Sequence, residues 1–203
     1  MSDILIVTNR ALCRGDFYTR LELAAKAGPA GIILREKDLS PEEYKSMAAR
    51  AMEICARYGV PCILHTFREA ALELGADRLH MPLPLLRRMG EGERRQFAVL
   101  GASCHSLEDA LEAQALGCHY ITAGHVFGTA CKAGLPGRGL DFLRSVCQAA
   151  AIPVYAIGGI GPGNISAVRR TGAAGACVMS SAMTCPDPTA FLAGFCPERI
   201  FSA

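Results

Sequence analysis

The chain has 203 residues, of which 51% are hydrophobic and 20% charged, a composition too apolar for intrinsic disorder and sufficient for a single well-buried domain over residues 1–203. Lys and Arg number 21 against 19 Asp and Glu, a net charge of +2 without long runs of either sign, so neither nucleic acid nor an anionic membrane meets a broad electrostatic footprint. No apolar run approaches the ~20 residues of a membrane helix and no basic-then-apolar leader opens the chain; the 10 Cys lack a CxxC pair or zinc-like spacing, which predicts a cytoplasmic protein whose cysteines are small buried hydrophobes.

Short β-branched runs alternate with helix-like stretches along the chain. Residues 4–8 read as a strand before a helix over 17–27, residues 30–35 as a strand before a helix over 41–58, and 61–64 as a strand before a helix over 68–75. The alternation continues with strand 78–80 and a short helical segment over 82–89, strand 98–101 and helix 106–116, then strand 119–122 and helix 139–149. Strand 154–157 with helix 162–171, and strand 176–179 with helix 187–195, complete eight units. Helix starts carry their signatures: Ser40-Pro41-Glu42-Glu43 offers a capping hydroxyl, proline at the first helical position and acids in the first turn, and Ser106-Leu107-Glu108-Asp109 does the same without proline. Gly28, Gly59, Gly75, Gly117 and Gly172 each follow a helical stretch, where a left-handed terminating residue is needed. Eight βα units in one chain imply a parallel sheet and favour its closure into a (β/α)8 TIM barrel.

In such a barrel the residues just after the strands build the mouth, where function resides. These are Arg35-Glu36-Lys37, His65-Thr66, His80-Met81-Pro82, Ser103-Cys104-His105, a long sixth loop from Gly124 to Gly139, Gly158-Gly159-Ile160 and Ser180-Ser181. Glycines after the seventh strand and a helix start after the eighth can together hold a phosphate through backbone N–H groups; the competing reading is a simple tight turn. His125, on the long loop, has a side chain able to take and give a proton near neutrality, or it is a hydrogen-bonded structural histidine. Arg35 is either a planar clamp for a carboxylate or phosphate or the ion-pair partner of Glu36, and Lys132 is either a cation for an anionic substrate or a solvated loop lysine. His65, His80 and His105 stand near strand ends as possible ligand contacts, while His119 opens a strand and is expected to pack. Apart from Glu36 and Glu69, no acid directly follows a strand end, which argues against a divalent-metal site and against paired-carboxylate chemistry.

Leu34-Arg35-Glu36-Lys37, His105-Ser106-Leu107-Glu108-Asp109-Ala110, residues 124–132, Ala156-Ile157-Gly158-Gly159-Ile160 and Val178-Met179-Ser180-Ser181 resemble the thiamine phosphate synthase-like barrels across nearly the whole chain. The synthase branch joins a pyrimidine pyrophosphate to a thiazole phosphate with magnesium held by aspartates after the third and fourth strands. This chain has His65-Thr66 and Pro82-Leu83-Pro84-Leu85 there, and Ile33 in place of the synthase glutamine. Its sixth loop, Gly124-His125-Val126-Phe127-Gly128-Thr129-Ala130-Cys131-Lys132-Ala133-Gly134-Leu135-Pro136-Gly137-Arg138-Gly139, instead resembles that of the TenI-type thiazole tautomerases. That resemblance implies an isomerase that moves a proton on a carboxythiazole phosphate, needs neither a metal nor another cofactor, and forms a homodimer. It implies His125 as the catalytic residue, the phosphate on Gly158, Gly159, Ser180 and Ser181, and Arg35 and Lys132 as partners of the anionic groups. The alternatives are a metal-independent sensor or regulatory binding protein for a thiazole phosphate, and a thiamine phosphate synthase.

Overall fold

A computed structural model of the protein describes residues 2–129 and 134–196. Eight parallel strands close into a barrel in chain order: β1 (Ile4–Val7), β2 (Gly31–Leu34), β3 (Cys62–His65), β4 (Arg78–Pro82), β5 (Val99–Cys104), β6 (Tyr120–Gly124), β7 (Val154–Ile157) and β8 (Gly175–Val178). Around them lie α1 (Phe17–Lys26), α2 (Pro41–Arg57), α3 (Arg68–Glu73), α4 (Leu83–Leu86), α5 (Glu91–Arg94), α6 (Leu107–Ala115), α7 (Gly139–Ala149), α8 (Ile165–Arg169), α9 (Ser180–Thr184) and α10 (Pro188–Ala193). The TIM barrel expected from the alternation is the fold, and among the described residues no helix is long and apolar enough to cross a membrane.

Strand side chains alternate between two cores, as the period of two requires. Ile4, Ile6, Ile32, Leu34, Leu64, Leu79, Leu100, Ile121 and Ala156 face the helices and form the larger core. Leu5, Val7, Ile33, Ile63, Tyr120 and Cys177 fill the barrel interior, with Val99, Tyr155, Ile157 and Met179 packed against them. Helix α2 starts at the predicted Ser40, whose hydroxyl accepts from Glu43 N while the Glu43 carboxylate accepts from Ser40 N at 2.9 Å. It ends at Gly59, whose φ of +65° a β-carbon would disfavour. From that helix the buried Tyr44 hydroxyl donates to Leu34 O at 2.7 Å and accepts from His65 N at 2.8 Å, tying the mouth ends of β2 and β3 together.

Strand β5 runs three residues beyond its predicted end, because Gly101-Ala102-Ser103-Cys104 lacks the β-branched residues that advertise a strand. Small residues are needed there. Gly101 pairs with Tyr120 of β6, and a Cβ at Gly101 would lie 2.6 Å from the Tyr120 hydroxyl, so the ring occupies the space a side chain would take. The short helices α5 and α9 also escape the periodicity, since one turn is too brief to show it.

Candidate active site

The mouth ends of the strands enclose a cavity of about 450 Å³, within the usual range for a small-molecule site. Arg35 and Lys37 stand on one rim after β2, and His65, Ser103 and Thr122 extend from β3, β5 and β6. Across the barrel lie His125, Thr129, Gly158, Gly159, Ser180 and Ser181. Of the residues expected from the sequence, Arg35, His65, His105, His125, Gly158, Gly159, Ser180 and Ser181 line the cavity; His80 does not, and Lys132 lies outside the described residues.

The β7 side of the mouth is built by backbone packing. Val126 N donates to Ile157 O at 2.9 Å and Phe127 N to Gly158 O at 3.0 Å, laying the sixth loop on the seventh. A Cβ at Gly158 would approach His125 Cα to 2.8 Å, and one at Gly159 would approach Gly128 O to 2.6 Å. Both glycines have positive φ, +101° and +66°. The tight-turn reading therefore holds for these glycines. Gly137 obeys the same packing, with a Cβ there 2.5 Å from Val126 O.

Arg35 is not the ion-pair partner of Glu36. The Glu36 carboxylate, 2% exposed, accepts from Thr8 Oγ1 at 2.7 Å and from Arg10 N at 3.0 Å, with the Arg10 guanidinium at 3.3 Å. Among the described residues no carboxylate pairs with Arg35, whose charge is left to the cavity. His125 is buried, and its Nε2 lies 3.4 Å from Leu135 O, a long contact within the sixth loop. His105 donates from Nδ1 to Gly124 O at 2.8 Å and so braces β6. His119, expected to pack, is instead exposed just before β6, its Nδ1 accepting from Leu100 N at 3.1 Å.

The cavity floor pairs strand-end groups in a way the sequence did not show. His80 is buried below the lining, with Nδ1 2.9 Å from Tyr120 Oη and Nε2 2.9 Å from Ser103 Oγ. Both hydroxyls can donate or accept, so the neutral ring is fully satisfied, and burial pushes its pKa down to about 3. His65, its partner in the β3–β4 register, lies with its ring 5.5 Å from that of His80 and bonds Thr66 Oγ1 through Nδ1 at 2.7 Å. Burial holds His65 well below the usual imidazole range, and the neighbouring His80, Arg35 and Lys37 add to the effect. Thr66 itself has φ +72°, a strained conformation for a β-branched residue. Gly101 and Tyr120 were the available signals for this floor: a glycine inside a strand marks a close approach.

Among the described residues no carboxylate lines the cavity, and no group of three or more His, Cys, Asp or Glu is placed to hold a metal ion. Thr66 and Leu85 stand where the resemblance to the synthase branch would put its aspartates. Magnesium is bound through oxygen ligands, usually carboxylates, so this donor set does not fit it.

Fold and mouth together define a (β/α)8 barrel with a polar cavity at the C-terminal ends of its strands. The thiamine monophosphate synthase (TMP-TENI) family model matches residues 4–182, and the chain belongs to that family. The thiamine-phosphate synthase of Desulfitobacterium hafniense (strain Y51) is 33% identical over 198 residues, covering 94% of each chain. That of Syntrophomonas wolfei is 34% identical over 191 residues, covering 91% of this chain and 90% of its own. The thiamine phosphate pyrophosphorylase of Pyrococcus furiosus superimposes with a TM-score of 0.82 at 28% identity, over 95% of this chain and 92% of that one.

These relatives overturn the isomerase class expected from the sixth loop, because they bear the name of a synthase, a transferase. The physical reason lies in the motif itself. Gly124 and Gly137 are demanded by contacts with Ile157 and Val126, and part of the string lies outside the described residues, so its spacing reports how the loop packs rather than which reaction follows.

Proposed function

We propose that the mouth binds a thiazole phosphate and that the chain serves thiamine biosynthesis as a transferase of the kind its relatives are named for, joining that acceptor to a pyrimidine pyrophosphate. One observation carries this reading: a cavity with cations on one rim, backbone amides at a helix start on the other, and no carboxylate between them. The phosphate would rest on the amides of Gly158, Gly159, Ser180 and Ser181, where the helix start favours an anion. Arg35 and Lys37 would meet the second anionic group, and Arg35 offers the planar fork that suits a phosphate. His125, packed against Gly158, would contact the phosphate-bearing arm of the ligand. Lys132, from the same loop, is a further candidate cation.

No step is assigned to a metal, since the donor set opposes magnesium. Charge on a departing pyrophosphate would fall on Arg35 and Lys37. The test is formation of thiamine phosphate from thiazole phosphate and the pyrimidine pyrophosphate, with and without chelator. Product that persists in chelator supports the transferase. A second reading, a regulatory binding protein for thiazole phosphate, is favoured by the missing carboxylates, and saturable binding without product would select it.

A further inference from the structure

We propose that His65 is the specificity-determining residue of the mouth, contacting the uncharged heteroaromatic ring of the ligand at the point opposite its phosphate. The inference rests on the phosphate site proposed above and adds what the other half of the cavity recognises. In a barrel whose eight strands follow chain order, β3 lies four strands from β7 and β4 four strands from β8. A phosphate on the loops after β7 and β8 therefore points the rest of its molecule at the ends of β3 and β4, which are His65 and Pro82.

His65 is held there from three sides. Its amide is fixed by the Tyr44 hydroxyl at 2.8 Å, its Nδ1 by Thr66 Oγ1 at 2.7 Å, and one face by the His80 ring at 5.5 Å. Nδ1 is thus occupied within the protein, while the side chain lines the cavity. A buried imidazole stacked on a second imidazole offers a flat face and a polar edge, which suit a planar heterocycle better than an aliphatic chain. Burial, with the nearby charges of Arg35 and Lys37 adding to it, keeps His65 uncharged, so its contact is that of a neutral ring.

The test compares thiazole phosphate with ethyl phosphate, which has the phosphate and no ring, by calorimetric titration of wild type and His65→Phe. The variant is expected to bind thiazole phosphate about threefold to tenfold more weakly, the worth of one neutral hydrogen bond, with ethyl phosphate affinity unchanged within about twofold. Equal losses for both ligands, or none for either, overturn the proposal. A second measurement needs no variant: the ¹⁵N resonances of the His65 ring in wild type should move with thiazole phosphate and stay still with ethyl phosphate. Wild-type binding of thiazole phosphate with a silent His65 ring refutes the role of His65 alone. Failure of wild type to bind thiazole phosphate, while still holding ethyl phosphate, refutes the ligand reading along with it.

Discussion

Replacing Gly101 by alanine probes the barrel floor at its tightest point. The new methyl would sit 2.6 Å from the Tyr120 hydroxyl and closer still to ring carbons of the same residue, so the ring must move. Overpacking of this kind costs about 1–3 kcal/mol. Movement of the ring also breaks the 2.9 Å bond between Tyr120 Oη and His80 Nδ1, stranding a buried polar atom at a further cost of about 1–3 kcal/mol. The sum, roughly 2–6 kcal/mol, is a large part of a typical domain's stability. Urea unfolding followed by far-ultraviolet circular dichroism measures it, a suitable probe because the chain has no tryptophan. Adding Tyr120→Leu to Gly101→Ala should make the double variant less destabilised than the sum of the singles by at least about 1 kcal/mol, since the methyl then enters vacated space. A Gly101→Ala protein within about 0.5 kcal/mol of wild type would refute this picture of the floor.

Three further outcomes are expected. His80, with its pKa pushed down to about 3, binds no proton in the folded state where the unfolded chain does, so stability is full above pH ~6.5 and falls as pH is lowered. His80 alone should remove roughly 2 kcal/mol between pH 6.5 and pH 5, and urea titrations of His80→Gln should show a shallower slope across that window than wild type. Gly158→Ala places a Cβ against the His125 backbone at a φ of +101°, so phosphate affinity measured by calorimetry should fall more than about tenfold as the two loops part. Arg35→Gln should weaken binding of inorganic pyrophosphate about tenfold or more, as expected for a lost charged hydrogen bond, and should raise the His65 pKa in an NMR titration, because Arg35 is one of the positive charges holding it down.

The barrel was legible because its signals are repetitive: β-branched runs at the strands, Ser40 and Ser106 at helix starts, and glycines such as Gly59 at helix ends. Where a strand is built from small residues, as in Gly101–Cys104, the pattern vanishes, because those positions are chosen by the Tyr120 ring on the neighbouring strand. The mouth was legible through one geometric rule, that residues following the strands converge, and this rule found Arg35, His125, Gly158 and Ser180 together. It missed the binding partners of Glu36, since Thr8 and Arg10 lie 28 and 26 residues away along the chain. It named His80 and Ser103 but not the bonds that join them through the floor with Tyr120, because partners on three strands meet only after closure. The sixth loop misled in its chemistry for a related reason: Gly124 and Gly137 are fixed by loop packing and carry little information about the reaction.

A ¹H–¹⁵N spectrum of the wild-type protein, titrated with thiazole phosphate in the presence of a chelator, bears on the phosphate site without any variant. The predicted result is a set of saturating shifts at the amides of Gly158, Gly159, Ser180 and Ser181. Shifts confined to other residues, or binding that appears only when magnesium is restored, would contradict a metal-free phosphate site between the seventh and eighth strands.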